Sequence, residues 1–286
     1  AAATTVVMSA IVRPASILIA PDTNKEDKKI SCIKSLASAF IGFLFTYCVS
    51  KPFSEGLKKI DNNPNLYLTK DTIKNLSKNS KNLQASKSYQ LISQTFKLGL
   101  GILLAYPKAK AQNVIIPPVM KKIKEKEKKQ ENKVTFKGSE KIISNVMNNS
   151  FVQKIADKLK NTNFITGMIC LSDILSSLIF VGTTQKNKNL DKRQKNILSY
   201  NSLISTILCV IGGSSIDKAT NKLSDKFLDN FKKFNPDYKN IEKISEGAKV
   251  MKSSLIFGIV YYCLIPIVTT VLSSKIADFK NKKTEN

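Results

Sequence analysis

Three charged side chains fall inside otherwise apolar runs of this chain: Arg13, Lys97 and Asp173. An ionisable group at membrane depth costs about 2.5 to 3.5 kcal/mol on insertion scales, so such a group is usually paired or faces a water-filled path. The chemistry this implies is a structural ion pair or passage of an ion or solute, not bond making. The usual catalytic apparatus is missing. The chain has no histidine, which removes the commonest general base and metal ligand at neutral pH. Five cysteines, Cys32, Cys48, Cys170, Cys209 and Cys263, sit in or beside apolar runs without paired metal spacing and read as small buried hydrophobes. No glycine loop suited to phosphate and no nucleophile motif is present. The expectation is a protein that is not an enzyme, with no catalytic residue, cofactor or metal.

The elements that carry the three charges are apolar runs separated by lysine-rich connections. Ser253 to Ser274 is the longest, twenty-two uncharged residues between Lys252 and Lys275; about 20 residues suffice to cross a roughly 30 Å hydrocarbon core as a helix. Five weaker runs precede it: Thr4 to Ala20 with Arg13 and Pro14, Ser31 to Ser50, Tyr89 to Tyr106 with Lys97, Phe164 to Gln185 with Asp173, and Ile197 to Ile216 with Gly212 and Gly213. The second run carries small residues at Ser35, Ser38, Ala39 and Gly42, which suit close helix approach. Gly212 and Gly213 suit packing or a helix end, and Pro266 suits a kink in the last run. The first run has no basic region ahead of its apolar part and does not read as a signal peptide.

Between the runs lie amphipathic stretches. Phe53, Leu57 and Ile60 share one helical face, as do Leu223, Phe227, Phe231 and Phe234. A third stripe, Ile142, Ile143, Val146, Met147, Phe151, Ile155 and Leu159, suits either the headgroup plane or a partner helix. The tail of the first connection, 74–88, reads as a mobile loop or surface helix. Residues 121–141 form a dense charge run, read as a solvated linker.

Charge narrows the partners. Lys and Arg total 46 against 21 acidic residues, a formal net charge of +25, yet only Arg13 and Arg193 are arginine. Nucleic-acid readers favour arginine forks and interleaved aromatics, so a nucleic-acid partner is not expected. A bilayer with anionic lipid, met by the lysine-rich loops, is; a homo-oligomer is compatible. The mean hydropathy of −0.12 resembles that of a soluble protein because those loops dilute the apolar runs.

The order of features repeats. Ser35, Leu36 and Ser38 match Ser202, Leu203 and Ser205, and Lys51 matches Lys218 at the same spacing; Asn63 and Pro64 match Asn235 and Pro236. The expected fold is all-α, a polytopic helical membrane protein of about six transmembrane helices as a 3+3 inverted repeat with interfacial amphipathic helices. Residues 1–120 form the first half, 121–141 the linker, and 142–286 an amphipathic helix plus the second half. In this arrangement Arg13 lies within one residue of the position matching Asp173, and the two neutralise one another near the midplane. The expected role is a membrane scaffold or small transporter-like protein in a cytoplasmic or inner membrane. The alternative is a soluble basic helical bundle with a binding or structural role, because runs of this length also form buried core helices.

Overall fold

Helix starts follow the local sequence. Asp191 accepts from the backbone N–H of Gln194 while the Gln194 side chain accepts from the Asp191 N–H, a reciprocal capping box. Thr69, Ser86 and Asn149 cap three further helices with side-chain oxygens. The chain is all-helical in a computed structural model, which describes residues 7–78, 80–122, 139–235 and 241–285; no strand occurs among them. The helices are α1 (Met8–Leu18), α2 (Lys25–Asn62), α3 (Pro64–Tyr67), α4 (Lys70–Ser77), α5 (Lys87–Leu103), α6 (Ala105–Lys122), α7 (Ser139–Asn148), α8 (Ser150–Leu159), α9 (Phe164–Gln185), α10 (Lys192–Ile207), α11 (Gly213–Phe234), α12 (Ile241–Leu255) and α13 (Ile265–Glu285). Wider π-helical stretches lie inside α2 at Thr46–Ser50, between α10 and α11 at Leu208–Gly212, and between α12 and α13 at Ile256–Leu264. Most of the charged linker expected at 121–141 lies outside the described residues.

Among the described residues, three helices are long and apolar enough to cross a membrane: Lys25–Asn62, Phe164–Gln185 and Gly258–Lys280. They correspond to the second, fourth and sixth apolar runs. The first run is present only as the short apolar helix α1.

The helices gather into two compact units that cut across the sequential halves. One comprises Ala1–Ala39, Ile115–Lys121 and Val181–Asn286, the other Phe40–Val114 and Lys122–Phe180. Their boundaries fall within α2, α6 and α9, long helices that run past the ends of either unit.

In the first unit, α1 packs antiparallel to α2. Lys28 Nζ donates to the Leu18 carbonyl (3.0 Å), Cys32 Sγ to Pro14 (3.5 Å) and Ser35 Oγ to Ser9 (3.2 Å), so the contacts climb α2 as they descend α1. Helix α10 runs the other way. Arg193 meets Asp27, and seven to eight residues further along both helices Lys34 donates to Asn201 (2.9 Å). Helices α2 and α10 are therefore parallel. Helix α13 is antiparallel to both, with Ser274 at the level of Asp27 and Thr269 at the level of Lys34. It is also inside-out by the standards of a soluble core. Thr269, Thr270, Ser273 and Ser274 are buried, whereas Leu264, Val268, Leu272 and Ile276 are exposed.

The second unit has the ordinary polarity. Phe53, Leu57 and Ile60 are buried as their spacing predicts, and they pack with Leu76, Tyr89, Ile143 and Met147 in one cluster. The 142–159 stripe is divided at Asn149, which starts α8: Ile143 and Met147 face the core, while Ile142, Phe151 and Ile155 are exposed. The 74–88 stretch is ordered against this core. Leu76 and Leu83 are buried, and Gln153 donates to Thr72 Oγ1 (3.0 Å) and to the Met147 carbonyl (2.9 Å). Two isolated leucines carry no periodic signal, which is why the sequence reads as a loop or surface helix there.

Met147→Ala, at a fully buried site, is expected to cost about 2 to 5 kcal/mol of stability, whereas Phe151→Ala, at an exposed one, is expected to change it by roughly 0.5 kcal/mol or less. Denaturant unfolding of the purified protein in detergent measures both.

Candidate functional site

The polar residues of the first unit form two layers between the same helices. The lower layer centres on Asp27, whose side chain is fully buried. It lies in the acidic first turn of α2, where its backbone N–H is held by Asn24 Oδ1 (2.8 Å). Arg193 engages both of its oxygens, one through Nη2 at 2.8 Å, and the Ser274 hydroxyl donates to Oδ2. The same guanidinium reaches the half-exposed Asp278 at 2.8 Å. The planar fork of arginine matches this bidentate geometry, which lysine could not supply.

The upper layer surrounds a cavity of about 30 Å³ lined by Arg13, Ile17, Ser31, Lys34, Ser35, Ser38, Asn201, Pro266 and Thr269. Arg13 Nη2 donates to Ser205 Oγ (3.3 Å) and Lys34 Nζ to Asn201 Oδ1 (2.9 Å), both neutral acceptors. Ser35 and Thr269 donate their hydroxyls to backbone carbonyls, those of Ser9 and Pro266. Ser31 is 2 % exposed and its hydroxyl has no hydrogen-bond partner among the described residues. Ser31, Lys34, Ser35 and Ser38 follow the i, i+3, i+4, i+7 spacing that puts them on one face of α2.

Of the residues singled out by sequence, Arg13 and Pro266 belong to this layer. Pro266 is buried at the start of α13, and its carbonyl accepts from both Thr269 and Thr270. Asp173 is exposed on α9, in the part of that helix assigned to the second unit. Lys97 is exposed on α5 in the second unit, at the rim of a cleft that also holds Asp61, Tyr89 and Gln94. A Cβ added at Gly212 would meet no atom within 4 Å, and the chain stays helical from Lys192 to Phe234. Gly213 begins α11. In the second unit, a hydrogen bond from Lys160 holds the Asp157 carboxyl below the usual carboxylate range, with a further one from Ser88 (3.4 Å).

Lys34, Asp27, Arg193 and Asn201 did not stand out in the sequence. Each sits at the edge of an apolar run or in a charged turn, where a polar residue is ordinary. Lys34 and Asn201 meet across 167 residues of sequence. No metal-binding group of His, Cys, Asp or Glu occurs among the described residues. The chain matches no known protein family, no characterised protein and no solved structure.

Breaking a buried pair by removing one partner costs about 3 to 5 kcal/mol, whereas a solvent-screened pair contributes about 1 kcal/mol or less. Removing the Asp27 carboxylate strands the buried end of Arg193. Asp27→Ala is therefore expected to destabilise the protein several-fold more than Asp278→Ala, as read from thermal melting in detergent.

Proposed function

We propose that this chain is an integral membrane protein with a non-enzymatic role, as a membrane scaffold or small transporter-like protein of a cytoplasmic or inner membrane. The observation that carries this reading is the polarity of α13. Burying four hydroxyl residues while exposing Val268, Leu272 and Ile276 is costly in water and favourable in lipid, where helices associate through small and hydroxyl-bearing residues. Helix α9 supports it: Ile169, Leu171, Ile174 and Leu178 are all exposed on a helix long enough to span. Helix α2 likewise buries Ile30, Ile33 and Ile41 while Leu36, Phe40 and Phe43 face outward. The lysine-rich connections suit anionic headgroups, at about 1 kcal/mol for each lysine near the surface.

The finer topology has two versions. The duplicated plan is supported by the contact of Lys34 with Asn201 at the repeat spacing. Six crossings as a 3+3 inverted repeat would make α2 and α10 antiparallel. Their parallel course favours the second version, in which the fifth apolar run, Ile197 to Ile216 across the end of α10 and the π-helical stretch, crosses along with α2, α9 and α13, and the repeat axis lies along the membrane normal. In that version the first apolar run, with Arg13 inside it, enters without crossing, and α5 with its exposed Lys97 stays outside the bilayer.

Alkaline carbonate extraction of native membranes tests the reading. The protein is expected to stay in the pellet; release into the supernatant would leave the soluble basic bundle. Solute flux in proteoliposomes, with Asp173→Asn as a comparison, then separates transporter from scaffold.

A further inference from the structure

We propose that the apolar cleft between α5 and α8 in the second unit is a binding site for one long-chain fatty acid, its tail inside and its carboxylate at the lysine-bearing end. The cleft holds about 530 Å³, within the range of about 300 to 1,000 Å³ typical of small-molecule sites. Leu91, Ile92 and Ala156 form its buried floor, and the exposed Leu103 and Ile155 stand at its mouth. Thr95 carries the single polar side chain among the described lining residues. Water finds too few hydrogen-bond partners on such a wall, whereas an alkyl chain gains by leaving water there. The lining residues run along α5 from Leu91 to Leu103, about 18 Å of helix. That length matches one acyl tail, which spans a leaflet of about 15 Å, half of the hydrocarbon core.

Charge places the head. The start of α5 meets the end of α8, where Lys87 Nζ donates to Asn161 Oδ1 (3.1 Å) and Ser88 Oγ to Asp157 (3.4 Å). Lys87, Lys158 and Lys160 therefore gather at this end, beside the carboxylate of Asp157, which Lys160 pairs. Leu91 lies one turn beyond Lys87, and Leu159 lies between the other two lysines, so these lining residues mark the same end of the cleft. A carboxylate head there meets net positive charge while its tail lies along Phe96 and Leu100. Phe164 lines the cleft and is the first residue of α9, so on the membrane reading the cleft lies where a span begins, within reach of a leaflet that supplies amphiphiles. The cleft itself belongs to one compact unit and does not depend on that reading.

The full chain, held in an amphipathic polymer in place of free detergent, is incubated with palmitate carrying a diazirine on its tail, irradiated and mapped by peptide mass spectrometry. Adducts are expected on residues 91–103 and 152–159, and unlabelled palmitate is expected to displace them. Two glycines supply matched variants. A Cβ added at Gly99 or at Gly101 meets no atom within 4 Å, but of the two only Gly99 lines the cleft. Leucine favours a helix over glycine at either position, so both variants should fold. Gly99→Leu is expected to reduce labelling roughly tenfold, because the added side chain takes the space of the tail, and Gly101→Leu to leave it unchanged. Lys87→Gln combined with Lys160→Gln is expected to weaken displacement by palmitate about two- to fivefold and not displacement by methyl palmitate. Carbonate extraction decides the membrane reading separately, so that reading and this site fail independently. Adducts confined to α9 and α13, or equal labelling in the two glycine variants, would overturn the proposal. Displacement by a diacyl phospholipid but not by palmitate would also overturn it. So would a dimer that Gly99→Leu dissociates without any displaceable adduct, which assigns the cleft to a second copy of the chain.

Discussion

The buried carboxylate of Asp27 is the constraint on which the first unit depends. A desolvated charge costs several kcal/mol unless neutralised in good geometry, and Arg193 and Ser274 together meet that requirement. One comes from α10 and the other from α13, so satisfying a single side chain on α2 fixes the register of three helices at one end. Once that end is set, one further rise of seven or eight residues, about 10 to 12 Å of helix, brings Lys34 to Asn201 and closes the upper layer. The cavity with Arg13 and Ser31 is a consequence of that registration.

The two units differ in what their buried faces hold. The second packs Phe53, Ile60, Leu76 and Met147 inside and holds its buried Gln153 by hydrogen bonds to Thr72 and a carbonyl. The first buries Ile30, Ile33, Ile197 and Leu198 together with Ser31, Thr269, Thr270 and Ser273, while Val268 and Leu272 of α13 face out. In water the inward hydroxyls lose hydration and the outward side chains gain nothing; on the membrane reading, lipid reverses both terms.

Helices were legible wherever a single period dominated. The 3.6-residue stripe of Phe53, Leu57 and Ile60 and the long uncharged runs needed no structure to be seen. The polar layers were not, because hydrophobic patterning carries no information on which serine or lysine faces inward when the outer face is apolar too. Arg13 was visible as an anomaly inside an apolar run, whereas Lys34, at the edge of one, looked like an ordinary flanking lysine. The direction of packing was hidden for a different reason. Counting runs assumes that each crosses, but Tyr89 to Tyr106 became a helix with Lys97 exposed. The contacts of Asp27 with Arg193 and of Lys34 with Asn201 show instead that α2 and α10 run the same way.

Reporter tags at Lys28, Lys78, Lys126, Lys188 and Lys239 in the native membrane test this account most directly. The parallel course of α2 and α10, joined at one end by Asp27 and Arg193, predicts that Lys28 and Lys188 report the same side and that Lys78, Lys126 and Lys239 all report the other. Finding Lys28 and Lys188 on opposite sides, with Lys78 and Lys126 also divided, would contradict it.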